Sequence, residues 1–268
     1  MLGTGNALVT ECYNTCFVLQ ENEQYFMVDG GGGNMILHQL KHAGIRWQNI
    51  HTIFVTHKHL DHIMGIMWML RMICEYLSKN EYEGDVTIYA HDEVTGILNT
   101  MALALLQKKE SQFIGRRIHL IAVTDGEKQT VMGHTIQFFD ICSTKAKQFG
   151  FTMDLGNGRK LTDCGDEPYN EYDRMYVENS TWLLHEAFCL NSQADVFKPY
   201  EKHHSTVKNA CELAEQMHVR NLLLYHTEDR NLADRKKLYM AEGRQYYTGN
   251  LFIPDDLEVL EINESVAK

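Results

Sequence analysis

The stretch "VTHKHLDH" at residues 55–62 brings three histidines and one aspartate together at the end of the apolar run "HTIFV". The β-branched and aromatic residues of "TIFVT", residues 52–56, predict a buried strand. A chain that stays extended beyond Thr56 directs His57 and His59 to the same side. Two imidazoles on one side can share one metal ion.

Asp61 and His62 follow where the polar stretch gives way to the helix-like run "IMGIMWMLRMICEYL". They leave in a different direction and can hold a second ion nearby. Imidazole nitrogen and carboxylate oxygen together suit Zn(II), and also Mn(II) or Fe(II). A histidine-rich surface loop is the simpler alternative, but four potential ligands so closely spaced after a strand favour a metal site.

Composition predicts one folded domain spanning residues 1–268, because 44% of the residues are hydrophobic and only three are prolines. The N-terminal stretch lacks the basic start and apolar block of a signal peptide, so export is not expected. Residues 63–74 are apolar, but Arg71 interrupts them and they are too short to span a bilayer. We therefore expect a core helix there and no membrane association.

Cysteine usage and net charge limit which cellular compartments and which classes of partner are expected. Seven scattered cysteines, an odd number, are typical of reduced thiols in a cytoplasm rather than of a disulfide framework. The net charge is −11, and the basic runs "QKKE", "GRR" and "DRKK" are short. A nucleic-acid partner is therefore not favoured, although a local basic patch would permit one.

The order of predicted elements indicates an α/β protein. The first half contains the strands "NTCFVLQ", "EQYFMVDGG", "IHTIFVTH" and "DVTIYAH", with helices at "NMILHQLKHAG", 63–79 and 93–109. The second half contains the strands "HTIQFFDIC", "FGFTMDLG", "RKLTDCGD", "STWLLHEAF", "NLLLYH" and "DLEVLEI", with helices at 205–218 and near 231–242. Strand-rich blocks with helices in both halves fit an αββα sandwich.

Four further metal-competent residues lie at predicted strand or helix ends, and they are Asp166, Glu186, His204 and His226. Each alone has an ordinary explanation, such as a turn aspartate or a hydrogen-bonded histidine. Together they lie where a metal site between two sheets would have its ligands.

The segment "THKHLDH" resembles the H-x-H-x-D-H signature of the metallo-β-lactamase superfamily. Around it, in the family's order, lie "LGTGNA" (2–7), "VDGGGG" (28–33), "CGDEP" (164–168), "LLHEAF" (183–188), "HHSTVKNACELA" (203–214) and "LLLYHTEDR" (222–230). The HEA and HST elements are similar to those of the tRNase Z-like group. The resemblance covers nearly the whole chain and implies the four-layer αββα fold.

The resemblance also implies a binuclear centre of two divalent transition-metal ions, most simply zinc. It assigns His57 and His59 to the first ion and Asp166 to both. The ligands that it assigns to the second ion are Asp61, His62 and His226. A hydroxide held between two such ions is a strong nucleophile at neutral pH.

Other roles follow from the same resemblance. Glu186 orients His204, which protonates the leaving oxygen. Asp61 belongs to the catalytic residues as well as to the ligands, and Arg230 contacts a substrate anion. Asp29 either supports the metal loop or simply belongs to a glycine-rich turn.

Two departures from the family limit this picture. The family has a third histidine for the first ion shortly before "FGF", where this chain has "DICSTKAKQFGF". His134 lies too early to replace it, so water completes the first site or one of the neighbouring residues assists, namely Asp140, Cys142, Ser143 or Thr144. We expect the first site to be the weaker one. The substrate-gripping arm of tRNA-processing members is not recognisable between residues 63 and 142.

The sequence thus predicts a metal-dependent hydrolase of a small phosphodiester or another ester. A tRNA 3′-end endonuclease explains the HEA and HST elements equally well, but not the acidity or the missing arm. A degenerate, non-enzymatic metal-binding protein is a third reading, against which the retention of Glu186 and His204 argues. We expect a homodimer, because related proteins are commonly dimers.

Overall fold

Two β-sheets form the centre of the molecule, which is a computed structural model describing residues 1–262. The first sheet contains, from edge to edge, β1 (Phe17–Glu21), β2 (Gln24–Val28), β3 (Thr52–Phe54), β4 (Val86–Ala90) and β5 (Ile118–Ala122). The second contains β12 (Asn250–Phe252), β11 (Asn221–Tyr225), β10 (Trp182–Glu186), β9 (Arg159–Asp163), β8 (Phe149–Gly156), β7 (His134–Asp140) and β6 (Lys128–Val131).

Helices cover the outer face of each sheet. They are α1 (Met35–His42), α2 (Leu60–Ser78), α3 (Asp92–Leu105), α4 (Lys108–Ser111), α5 (Arg174–Val177), α6 (Ala194–Phe197), α7 (Val207–Gln216) and α8 (Arg235–Gly243). The apolar sides of α1, α2 and α3 share a core with the first sheet, and those of α7 and α8 share one with the second. The result is the αββα sandwich that the sequence predicts.

A third core lies between the sheets and is rich in phenylalanine. Phe26 of β2 meets Phe151 of β8 at 5.5 Å between ring centroids, and Phe54 of β3 meets Phe138 of β7 at 4.9 Å. All four rings are fully buried. Aromatic pairs of this kind hold the two sheets face to face.

Strand direction places the functional loops together. Strands β2 to β5 run parallel to one another, as do β9 to β12. The loops that follow β2, β3, β9, β10 and β11 leave from carboxyl ends of strands, where parallel sheets commonly place their binding residues.

The structure differs from the predicted elements at several positions. Helix α2 begins at Leu60 instead of residue 63, so Asp61 and His62 lie in its first turn. The sequence did not predict the strands β5 and β6. The predicted last strand "DLEVLEI" is wrong, because Leu257 has a left-handed φ of 65° and the strand of that region is β12.

Other expectations concern cysteines and membranes. All seven cysteines are unpaired, as the sequence predicts. Within residues 1–262, no helix combines the length and the apolar character needed to cross a bilayer. A single domain and a cytoplasmic location stay predictions.

A close backbone contact fixes the start of α2 against the turn that follows β2. The Gly30 amide donates to the carbonyl of His62 at 2.9 Å, and the Gly65 amide donates to the carbonyl of Gly31 at 2.8 Å. A Cβ atom at position 65 would lie 1.8 Å from the Gly30 carbonyl oxygen. Only glycine therefore permits this approach.

We expect Gly65→Ala to lower the free energy of unfolding by at least about 2 kcal/mol, because backbone atoms must move apart. Gly96→Ala is the matched control, since a Cβ atom at that exposed position in α3 meets nothing within 4 Å. It should be neutral or should stabilise the chain by up to about 1 kcal/mol. Denaturant unfolding measures both variants, and equal stabilities would contradict the tight contact.

Candidate metal centre

Six predicted ligands meet at the end of the sandwich where these loops converge. His57 and His59 follow β3, Asp166 follows β9, and His226 follows β11, while Asp61 and His62 lie in the first turn of α2. Five of the six side chains are buried, and His59 is partly exposed. The chain thus assembles one polar cluster from both sheets.

The first cluster contains His57, His59 and Asp166. The His57 Nε2 and His59 Nδ1 atoms lie 2.8 Å apart, and His57 Nε2 lies 3.7 Å from Asp166 Oδ1. The extended backbone after β3 turns both imidazoles to one side, as the spacing predicts.

The second cluster contains Asp61, His62 and His226. The Asp61 Oδ2 atom lies 3.3 Å from His62 Nε2 and 3.4 Å from His226 Nε2. Asp166 Oδ2 lies 3.5 Å from His226 Nε2 and 3.8 Å from His62 Nε2. Asp166 therefore presents one carboxylate oxygen to each cluster.

These separations fit a bound transition-metal ion. Ligand atoms held at about 2.0–2.1 Å in a tetrahedron are about 3.3–3.4 Å apart, which matches the shorter distances of the second cluster. The His62 Nε2 atom is buried and makes no hydrogen bond. A buried nitrogen that faces two carboxylates in this way is an appropriate ligand atom for a cation.

Asp29 contacts His62 of the second cluster and Thr56, the residue before His57 of the first. Its carboxylate accepts hydrogen bonds from the amide and hydroxyl of Thr56 at 2.9 and 2.8 Å, and its Oδ2 lies 2.7 Å from His62 Nδ1. The backbone at Asp29 and at His226 is left-handed, with φ of 56° at both. Strained backbone of this kind clusters at functional sites, because it aims side chains that regular structure would not.

The charges of the cluster are arranged around a cation. Burial opposes charge on Asp61 and Asp166, but the neighbouring histidines outweigh it and hold the pKa of both carboxyls well below the usual range. Burial also opposes charge on His62, yet Asp61 and Asp29 raise the pKa of that imidazole well above its usual value. A bound metal ion would balance these carboxylates and would be held by neutral imidazoles.

Glu186 and His204 lie beside the second cluster. Glu186 Oε2 is 3.7 Å from His204 Nδ1, and the His204 ring lies 5.1 Å from that of His226. Burial raises the pKa of Glu186 to about 8 and lowers the pKa of His204 to about 2. Burial thus opposes charge on each group by itself, and an ion pair between the two would offset that cost and leave the proton on His204.

The amides of Ser205 and Phe188 donate to the Glu186 carboxyl. The ring of Phe188 stacks on that of His204 at 4.8 Å. His204 also falls within a third group of potential ligand atoms, together with Asp166 and His226. Its position is compatible with proton transfer and with metal binding.

The other predicted residues lie outside these clusters. Among residues 1–262, none of the clusters includes Asp140, Cys142, Ser143 or Thr144. The Thr144 hydroxyl instead contacts His203 Nδ1 at 3.1 Å, and the Asp140 carboxylate accepts from the Cys142 amide. Arg230 is exposed, and its guanidinium lies over the Phe197 ring at 5.3 Å.

Two residues close to the position where the family has its third histidine were not predicted from the sequence. The fully buried Gln148 donates from Nε2 to Asp166 Oδ1 and accepts from the Asp166 amide, both at 2.8 Å. Lys145 Nζ lies 3.8 Å from Asp166 Oδ2. Their proximity to "FGF" was the only signal in the sequence.

Known proteins share this architecture over most of the chain. Ribonuclease Z of Thermococcus onnurineus is 24% identical over an alignment of 307 positions, which covers 97% of this chain and 93% of that protein. The crystal structure of the metallo-β-lactamase fold protein YhfI from Bacillus subtilis has a TM-score of 0.76 at 17% identity, with 95% of each chain covered. Human tRNase Z, short form, has a TM-score of 0.72 at 21% identity, with 98% of each chain covered.

The fold and the ligand clusters define a metallohydrolase of the metallo-β-lactamase superfamily, similar to tRNase Z, as the sequence predicts. Residues 1–246 match the sequence profile of the family described as "Anti-Pycsar protein Apyc1", and the chain belongs to that family. The roles of individual site residues, the identity of the metal and the homodimer stay predictions.

We expect the purified protein to carry one to two transition-metal ions per chain. Asp166→Ala should lower occupancy at both sites, because this carboxylate faces both clusters, whereas His59→Ala should affect only the first. His42→Ala, which changes an exposed histidine of α1, is the control. Metal analysis after dialysis measures all three, and full metal content in the Asp166 and His59 variants would contradict the assignment.

Proposed function

We propose that the chain is a phosphodiesterase that hydrolyses a small phosphodiester or another small ester with two bound metal ions. One observation carries the proposal: a single buried carboxylate, Asp166, joins two ligand clusters directly beside the Glu186–His204 pair. A binuclear centre next to a proton donor is suited to displacing an alkoxide from phosphorus.

The metal ions and the side chains have separate roles in this proposal. Bound ions supply a nucleophile at neutral pH and offset the charge that develops on the phosphoryl oxygens. Asp29 fixes the orientation of His62, so that its Nε2 faces Asp61 and Asp166. In this proposal His204, protonated in an ion pair with Glu186, gives its proton to the leaving oxygen, and Glu186 orients the imidazole.

Charge and chain length support a small substrate. The net charge of −11 disfavours a long polyanion, since proteins that bind several phosphates usually neutralise them with a basic surface. In residues 60–140 the longest connection between regular elements, residues 79–85, has seven residues. No arm-length insertion is present in that part of the chain.

Processing of tRNA 3′ ends is the second candidate. It is favoured by the similarity to ribonuclease Z, which extends over 93% of the relative's length. The two functions require the same metal chemistry and differ in the surface that binds the rest of the substrate. Substrate size therefore separates them.

We expect the zinc-loaded protein to hydrolyse a nitrophenyl phosphodiester at a rate that changes no more than about threefold between 50 and 200 mM salt, because few counterions are released. Precursor tRNA should be cut poorly. An Asp166→Ala variant controls for contaminating activity. Efficient cleavage of precursor tRNA at its 3′ end, with a steep salt dependence, would replace this proposal by the second candidate.

The role of His204 predicts a loss of chemistry without a loss of metal. His204→Ala should lower kcat by roughly 10²- to 10⁴-fold, as expected when a general acid is removed, while the metal content stays unchanged. His203→Asn changes the exposed neighbour and keeps a residue that tolerates the left-handed φ of 56° at that position, so it should retain wild-type kcat. Wild-type turnover in His204→Ala would refute the role.

A further inference from the structure

The segment that lacks the family's histidine brings a lysine to the metal centre. Lys145 Nζ lies 3.8 Å from Asp166 Oδ2 and 3.3 Å from Glu167 Oε2, and it donates to the Asp166 backbone carbonyl at 3.3 Å. Its side chain is only 14% exposed. A cation thus lies at the carboxylate that the two clusters share.

Lys145 lies beside residues of both ligand clusters. Asp166, which lies 3.8 Å from its ammonium, belongs to the first cluster and also falls within one group of potential ligand atoms with His204 and His226. His59, another ligand of the first cluster, is partly exposed. The ammonium therefore lies near both the first cluster and the proton donor.

Bound metal ions would weaken the attraction between Lys145 and Asp166. Asp166 already accepts a hydrogen bond from Gln148 and faces three histidines, and bound cations would compensate its charge further. Like charges repel, so the ammonium would then be attracted less by Asp166 and would keep its contact with Glu167. It would be available to an anion that approaches the metal ions.

We propose that Lys145 is a substrate-binding residue whose ammonium contacts a non-bridging phosphoryl oxygen of the bound substrate. The inference rests on the proposed function as a phosphodiesterase. A lysine ammonium is a compact charge with three donors and suits a phosphate oxygen. Arg230, the anion contact that the family resemblance implies, is exposed and lies over Phe197, whereas Lys145 lies within the centre.

Binding of inorganic phosphate to zinc-loaded protein tests the contact directly. We expect Lys145→Met to raise the calorimetric Kd for phosphate about 10- to 100-fold, because a hydrogen bond between two charged groups is lost. Lys145→Arg should retain binding within about fivefold, since it keeps a cationic donor. The KM for a nitrophenyl phosphodiester should rise in Lys145→Met by a similar factor.

Lys147→Met is the matched control on the same segment. Lys147 pairs with Asp92 at 2.6 Å on the surface, so its removal should leave phosphate affinity unchanged. Zinc content and thermal unfolding are measured for every variant, and affinities are compared at equal zinc loading. A common loss of affinity in the Lys145 and Lys147 variants would indicate a general charge effect and would overturn the proposal.

Other outcomes separate this proposal from the proposed function. Unchanged phosphate affinity in Lys145→Met, with or without a change in zinc content, would make Lys145 only a counter-ion of the carboxylates. Absence of phosphate binding to zinc-loaded wild-type protein would equally overturn the assignment. Weakened phosphate binding in Lys145→Met, together with no hydrolysis of the phosphodiester by wild-type protein, would retain Lys145 as a phosphate-binding residue and reject the small-phosphodiester function.

Discussion

The charge on Asp166 is the constraint on which the rest of the site depends. This carboxylate is almost fully buried, and a buried charge is costly unless other groups compensate it. Compensation comes from both sheets, because His57 follows a strand of the first and His226 follows a strand of the second. The contacts that compensate the charge of Asp166 therefore also connect the two sheets at this end of the sandwich. The same charges favour the binding of a cation.

The sequence indicates where the expected ligands lie because the ends of apolar strands can be recognised in it. Asp166 and His226 each follow a short apolar run, and the carboxyl ends of such runs meet at one edge of a parallel arrangement. Elements without strong periodicity are harder to predict. Strand β6, "KQTV", has little apolar character, and the stretch at 256–262 alternates like a strand although Leu257 takes a left-handed φ that no residue pattern indicates.

The surroundings of the first cluster could not be predicted for a different reason. The absence of a histidine before "FGF" is visible in the sequence, but the group that replaces it depends on the conformation of an irregular loop. Gln148 and Lys145 reach Asp166 only because residues 143–148 fold back over it. Contacts of this kind connect residues that are distant in sequence, and local propensities carry no information about them.

The acidity of the chain and the cationic character of its site are compatible because they act over different distances. Exposed charges more than about 8–10 Å apart are largely screened at physiological salt, whereas buried charges are screened much less. A small anion that enters the centre therefore responds to bound metal ions and to Lys145 rather than to the net charge of −11. A longer polyanion would extend beyond the centre, and a chain with a net charge of −11 offers it little overall attraction. The net charge therefore favours the proposed small substrate over a long polyanion.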